Sequence, residues 1–436
     1  MWDKRPSDWP VTKLRDLTTP IRRTTDGGDH PLMTISAKRG FLLQSEKYSR
    51  NMAGKSAERY ILLRRGEFAY NKGNSQTAPQ GCVFRLDSSS ALVPFVYYCF
   101  ALTEKIDAGF AGHAFKAGIL NRELARYINS GVRNDGLLNL YSDDFYRCSV
   151  ALPPYPEQLA IDEVLQSLEN NILKTKELID AVVRGKLNAM RRLLTMGIRG
   201  DAASMQELPE RWVLGRVAEG VARIPSDWKL VRLTSVAQLK SGHTPDRKQP
   251  DYWDGDVPWI SLQDATALGQ LTIGDTAETI GALGLENSSA RMLPPRTVVL
   301  QRTANIGLCS IMEREMCTSQ HFANWVCGPD LLPEYLQQVF RHMQREWTRL
   351  EAGSVLPDIY MTTFKRLQIL LPPIAEQERI AEIGAAFDRR IETERKVLVE
   401  LEATRAALAQ ELLSGRLRLP EAMVARFENA PIAVNA

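Results

Sequence analysis

Two stretches of this 436-residue chain carry apolar residues at helical spacing over about forty positions each, while the rest changes pattern every few residues. After Pro156 no proline occurs as far as Leu194, and Gly185 is the one glycine. Ile161, Leu165, Leu168, Ile172, Ile179, Val182, Ala189 and Leu193 fall mostly three and four apart, with Thr175 and Lys186 in the weaker places. The second stretch sets Ile380, Phe387, Ile391, Leu398, Leu401, Leu408 and Leu412 on the same register, and Gly384, Glu394 and Arg405 fill its poorer positions. A seam this narrow, kept for about five heptads, is built to meet one other helix rather than a broad core. Pro-Pro stops the chain before each stretch. Glu157 and Glu376 then put negative charge where a helix N-terminus favours it, and Gly197 and Gly415 supply the C-terminal stops. The expectation is two helices of about 40 residues, each about 60 Å long, paired antiparallel as a rigid spacer.

Outside these stretches the pattern is that of short strands broken by polar loops. "RRGEFAYNKGNSQTAPQGCVFRLD" (64–87) reads as strand, Gly/Asn-rich loop and strand. "LPPRTVVLQRTANIGLCSIM" (293–312) and "CTSQHFANWVC" (317–327) read in the same way. With a few short helices between them, these segments predict α+β domains.

The chain also repeats itself. "LPPYPEQLAI" (152–161) returns as "LPPIAEQERI" (371–380), and "PSDW" (6–9) returns at 225–228, both 219 positions on. The helical stretches close as "RRLLTMGIR" (191–199) and "AQELLSGRLR" (409–418), with one residue missing before the second glycine. A degenerate third opening, "LPERWVLGRVAEG" (208–220), sits in the junction. Two half-molecules therefore follow one another in the same order, with similar borders and different middles, as in a scaffold carrying two different readers. Pseudo-twofold symmetry between the copies places one globular part at each end of the helix pair.

Composition narrows the class. Hydrophobic content of 44% and charged content of 25% are those of a soluble protein, and "ALVPFVYYCFAL" (91–102) is too short and too interrupted to span a bilayer. The start lacks a secretion signal, so a cytoplasmic location is expected. Six cysteines without regular spacing read as free thiols, and five scattered histidines form no metal box. Net charge is +3, with 22 Lys/Arg against 15 Asp/Glu in residues 1–152 and 14 against 16 in residues 226–371. That is no uniform basic coat, so nucleic-acid binding requires local patches or a partner that shares the phosphates. No adenine-methylase motif, Gly-rich cofactor loop or phosphate loop is present in the sequence.

These features together resemble the DNA-specificity subunit of type I restriction–modification systems. The doubled Pro-Pro-x-x-Glu-Gln, "YWDGDVPWISLQD" (252–264) and "GVRNDGLLNLYSDDFYRCSVALPP" (131–154) carry the likeness. The resemblance implies two α+β target-recognition domains, at 1–152 and 225–371. It implies spacer helices at 153–200 and 372–418, a junction at 201–224 and a tail at 419–436. Each domain would read one half of a bipartite site in double-stranded DNA, and the paired helices would set the gap. Two methyltransferase subunits would dock on the chain, and endonuclease/translocase subunits would join for restriction. The chain would do no chemistry and bind no cofactor of its own. S-adenosylmethionine, and ATP with Mg, would belong to the partners. A DNA-independent coiled-coil adaptor is the competing reading.

Polar loops rich in forked donors are the natural base readers. In the first domain these are Asn71, Lys72, Asn74, Gln76, Arg133 and Asn134. In the second they are His243, Thr244, Arg247, Lys248, Arg302, Thr303, Gln320 and His321. Arg22, Arg23, Lys38, Arg39, Arg64 and Arg65 suit phosphates, which position without specifying. Tyr252, Trp253 and Trp259 read as packing residues, and Trp9 and Trp228 as braces between each domain and the helix ends.

Overall fold

The computed structural model describes residues 6–47, 59–72, 77–128, 138–200, 204–208, 221–351 and 357–431. The chain divides into two compact units: residues 1–175 with 397–436, and residues 176–396. The two long helices are present as Tyr155–Met196 (42 residues) and Ile374–Leu413 (40 residues), and both are continuous. Gly197 and Gly415 follow their ends, each at φ 72°. Only a residue without Cβ takes that left-handed turn without strain, so the sequence stops the helices where the glycines stand.

In the first unit, Val11–Lys13 pairs antiparallel with Ser149–Ala151, which joins the domain's two ends. A four-stranded antiparallel sheet runs in the order Thr18–Pro20, Tyr98–Leu102, Phe68–Asn71, Cys82–Arg85. Beside it lie the hairpin Met33–Ser36 with Gly40–Leu43, the pair Ile61–Arg64 with Ser90–Val93, and the helix Ala108–Lys116. The core is aromatic. Phe68 stacks on Phe100 with ring centres 5.7 Å apart, and Phe115 meets both edge-on. Ile161 and Leu165 of the first long helix, and Ala409, Leu412 and Leu413 of the second, close the same core.

In the second unit, Lys229–Arg232 pairs antiparallel with Gln368–Leu371. The register is that of the first unit: Val11 faces Ala151, and Leu230 faces Leu370, each 219 residues further on. A five-stranded sheet follows the order Ala237–Ser241, Phe322–Cys327, Val298–Gln301, Cys309–Met312, Thr272–Ile273. A three-stranded sheet holds Val257–Ile260 between Glu278–Ile280 and Cys317–Thr318. Trp228, Trp325, Phe340 and Trp347 fill the core together with Met190 and Leu194 of the first long helix and Ile380 of the second.

Within each unit the helices run antiparallel. In the first, Glu169 bonds Arg405 at 2.6 Å and Glu157 bonds Arg418 at 2.6 Å. In the second, Lys186 bonds Asp388 at 2.6 Å and the Ile198 N–H donates to Glu376 at 2.9 Å. The residues assigned to helix pairing, from Ile161 to Leu193 and from Ile380 to Leu412, are all buried or half-buried.

Candidate nucleic-acid interface

The repeated motifs build the same joint once in each unit. The Trp9 indole donates to Glu157 at 3.1 Å, and that of Trp228 to Glu376 at 2.8 Å. Gln158 donates to the Pro153 carbonyl and accepts from the Asp107 N–H. Gln377 does the same with Pro372 and Leu332. Arg418 forks onto Asp8, and Arg199 forks onto Asp227 at 2.6 and 2.7 Å. The Pro-Pro-x-x-Glu-Gln motif is thus a clamp: its Glu takes the tryptophan that opens a globular part, and its Gln ties down the loop before the helix. Trp9 and Trp228 brace the helix ends as their place in the repeat implied. The Asp–Arg forks were missed, although Asp8 and Asp227 stand in the quoted repeat and Arg199 and Arg418 end the quoted helix tails.

In the second unit, separate chain segments converge. Gly242 lies so close to the strand end at 318–319 that a Cβ there would come within 2.2 Å of the Thr318 and Ser319 carbonyls. This contact brings Thr244 to Gln320, whose side chains bond at 2.5 Å. The Arg302 N–H donates to the His321 carbonyl, and its guanidinium donates to the Gln320 carbonyl at 3.0 Å. The same guanidinium grips Asp358 at 2.7 and 2.8 Å, and Thr303 adds a bond to Asp358 at 2.7 Å. His243, Lys248 and Gln320 are exposed, Thr244 and His321 half-buried, and Thr303 buried. The upper residues therefore face outward, while Arg302, Thr303 and Asp358 form the base that holds them. Burial and the adjacent Arg302 hold the His321 imidazole below its ordinary pKa, so at neutral pH it is uncharged and offers both a donor and an acceptor.

Arg247 is also held. Its guanidinium stacks on Trp253 at 3.7 Å and forks onto Glu278, one bond of which is 2.9 Å. The hydrogen-bonded Glu278 raises the Arg247 pKa, and Arg247 lowers that of Glu278. Trp253 meets Trp259 edge-on with centres 4.9 Å apart, and the Trp259 indole donates to the His243 carbonyl at 3.0 Å. The Trp-Asp-Gly-Asp-Val-Pro-Trp stretch thus stiffens the loop that presents His243, Thr244 and Lys248.

In the first unit, Asn71 is buried and donates to the Ile35 carbonyl at 3.1 Å. Lys72 reaches Tyr98, with its ammonium 5.0 Å from the ring centre. Asn74, Gln76, Arg133 and Asn134 lie outside the described residues. Their flanks meet, because the Leu138 N–H donates to the Lys72 carbonyl at 2.8 Å. Among the phosphate candidates, Arg23 is locked on Glu67 at 2.6 Å, whereas Arg22, Lys38, Arg39, Arg64 and Arg65 are exposed. Burial pushes Cys82 and Cys317 up to about 11 and Cys148, Cys309 and Cys327 up to about 12, which keeps these thiols protonated. Among the described residues no His/Cys/Asp/Glu group could hold a metal, and no helix is long and apolar enough to cross a membrane.

Residues 225–403, which include the converging loops and the start of the second long helix, match the family described as type I restriction modification DNA specificity domain. The chain is 29% identical over 188 residues to the MjaIX type I restriction enzyme specificity subunit of Methanocaldococcus jannaschii, covering 43% of this chain and 44% of that one. It is 22% identical over 303 residues to the putative MjaX specificity subunit of the same organism, covering 68% and 65%. The matches thus span less than two thirds of these two relatives. A structure described by its assembly and conformational transition in the type I R-M system overlays with a TM-score of 0.55 at 15% identity, covering 95% of this chain and all of that one. A type I S subunit from M. genitalium gives 0.53 at 13%, covering 93% and 96%. At such identity these two overlays speak for the fold. The second globular part is of the type I DNA-specificity class. With its two long helices and doubled joints, the chain is similar in fold to type I restriction–modification specificity subunits.

Proposed function

We propose that this chain is the non-catalytic DNA-recognition subunit of a type I restriction–modification complex. The observation that carries the reading is the convergence of Thr244, Gln320, His321 and His243 from distant segments onto one outward face above an ion-paired base. Polar groups held this way suit base edges in the major groove, because their rotamers are fixed before DNA arrives. In the first unit the corresponding readers are Lys72 and the loops carrying Asn74, Gln76, Arg133 and Asn134. Arg22, Lys38, Arg39, Arg64 and Arg65 would meet phosphates.

The domains run 1–152 and 225–371, and the helices between them fix the gap in a bipartite site. Methyltransferase subunits, two per chain, dock on it, and endonuclease/translocase subunits join them. S-adenosylmethionine and ATP with Mg act in those partners. A heptad inserted at matching points in both helices adds about 10 Å, and so about three base pairs of gap. The test is to co-produce the chain with its methyltransferase subunit and map N6-methyladenine by single-molecule sequencing. A split motif with a fixed gap, lost when the chain is omitted, is the expected result. Methylation that ignores the chain would instead favour a DNA-independent adaptor.

A further inference from the structure

Gly112 stands inside the helix Ala108–Lys116, and a Cβ built on it meets no atom within 4 Å. Glycine weakens a helix interior relative to alanine, so this position gives up helix stability while leaving open space above itself. The space is a cleft of about 360 Å³ in the first unit. Lys38, Arg39, Arg85 and Lys116 line it, beside Phe41 and Phe84.

Four cations there face two carboxylates, Asp87 and Glu169. Glu169 is already bonded by Arg405 at 2.6 Å and by Lys116 at 2.9 Å, so its charge and that of Lys116 are largely spent, and the unpaired charge sits on Lys38 and Arg39. Asp87 is 82% exposed and 3.3 Å from Arg85. Lys38 makes no ion pair among the described residues, and the Arg39 guanidinium stands 3.7 Å from Glu46, a loose pair. The cleft therefore keeps an excess of positive charge on a concave surface, next to apolar ring faces. Forked and point cations together bind phosphate oxygens, and the volume lies in the range of small-molecule sites.

We propose that this cleft binds a phosphate ester of about one nucleotide's size. Two sources present that chemistry, the backbone of DNA and a free phosphate ester. For DNA the inference rests on the proposed function, which already gives Lys38 and Arg39 to phosphates; for a free phosphate ester it goes beyond that reading.

The test uses the full chain and three variants. Lys38→Gln with Arg39→Gln strips charge from the rim, and Gly112→Leu fills the space without changing charge. Arg122→Gln, an exposed cation on the helix Asn121–Tyr127 outside the cleft, is the control. Inorganic pyrophosphate is titrated by calorimetry at low salt. Binding of a labelled duplex is followed by anisotropy across a salt series. Pyrophosphate affinity is expected to fall at least tenfold in both cleft variants and to stay unchanged in the control. If the occupant is DNA, the rim variant also lowers the slope of log affinity against log salt by about two, one per lost cation. A pyrophosphate effect with an unchanged DNA slope assigns the cleft to a free phosphate ester. If neither probe distinguishes the cleft variants from the control, the proposal is overturned. Gly112→Leu shows no loss of charge, so a weakened pyrophosphate response in that variant cannot be a general electrostatic effect.

Discussion

Replacing Asp388 with asparagine tests the helix pair at a buried carboxylate shared by two cations. Asp388 Oδ1 takes the Lys186 ammonium at 2.6 Å, while Oδ2 takes Gln338 at 2.9 Å and the Arg341 guanidinium at 3.1 Å. The three charged side chains are only 14–15% exposed. Burial opposes ionisation of Asp388, but Lys186 and Arg341 outweigh it and hold the carboxyl below its ordinary pKa. A depressed carboxylate pKa stabilises the fold at neutral pH, and that stability is lost as pH falls through the folded-state pKa. Asp388→Asn removes it at every pH and strands two neighbouring cations, with an amide N–H₂ now aimed at one of them. Breaking a buried pair from one side costs about 3–5 kcal/mol. For a unit of this size that lowers the melting temperature by about 6–20 °C. Lys186→Met is the informative contrast: Asp388 keeps Arg341 and Gln338, and the thioether chain replaces the lysine stem. Its cost should stay below about 2 kcal/mol, in the range of an ordinary substitution. Scanning calorimetry of the full chain measures both. If Lys186→Met costs as much as Asp388→Asn, then Lys186 rather than the shared carboxylate is the centre of the site, and the reasoning fails.

The corresponding change in the first unit, Glu169→Gln, should be milder, because Glu169, Arg405 and Lys116 are 24, 20 and 49% exposed and water can replace part of what is lost. Glu376→Gln keeps one acceptor for two donors, the Trp228 indole and the Ile198 N–H, and should cost about 1–3 kcal/mol by urea titration. Burial, with Arg191, Lys186 and Arg345 nearby, pushes His342 down to about 4. Since the unfolded chain binds this proton from about pH 6.5, stability should decline between pH 6.5 and 4, by on the order of 1–3 kcal/mol after allowance for partial exposure. His342→Gln should flatten that limb of the stability profile. The Thr244 hydroxyl occupies Gln320 Oε1, so in the proposed reading face the Gln320 N–H₂ is the group that would meet base acceptors. Gln320→Glu should therefore abolish or change the second half-site in the methylation map while leaving the first half-site intact, and an unaltered second half-site would remove Gln320 from the readers.

What the amino-acid pattern disclosed and what it hid have one physical cause, the distance along the chain over which an interaction acts. The helix seam, the Pro-Pro stops and the glycine ends are local, so spacing alone placed the long helices to within a few residues. The weaker seam positions looked like flaws, yet Lys186 and Arg405 carry the cross-helix bonds, with partners 202 and 236 residues away. They are also related by the repeat, since Glu169 and Asp388 stand 219 apart, as do Lys186 and Arg405. The antiparallel register could therefore have been deduced by asking which seam charges oppose one another when the second copy is reversed. No such symmetry helps with the base readers. Residue type nominated Arg247, Arg302, Thr303 and Gln320 equally. Separating them requires knowing that Arg247 and Arg302 are held by Glu278 and Asp358, 31 and 56 residues away, and that Thr303 bonds the same Asp358. These acids lie in the middles, where the two halves differ. A chain that keeps its joints and varies its readers encodes its scaffold twice and each reading surface once, so internal comparison resolves the first and is blind to the second.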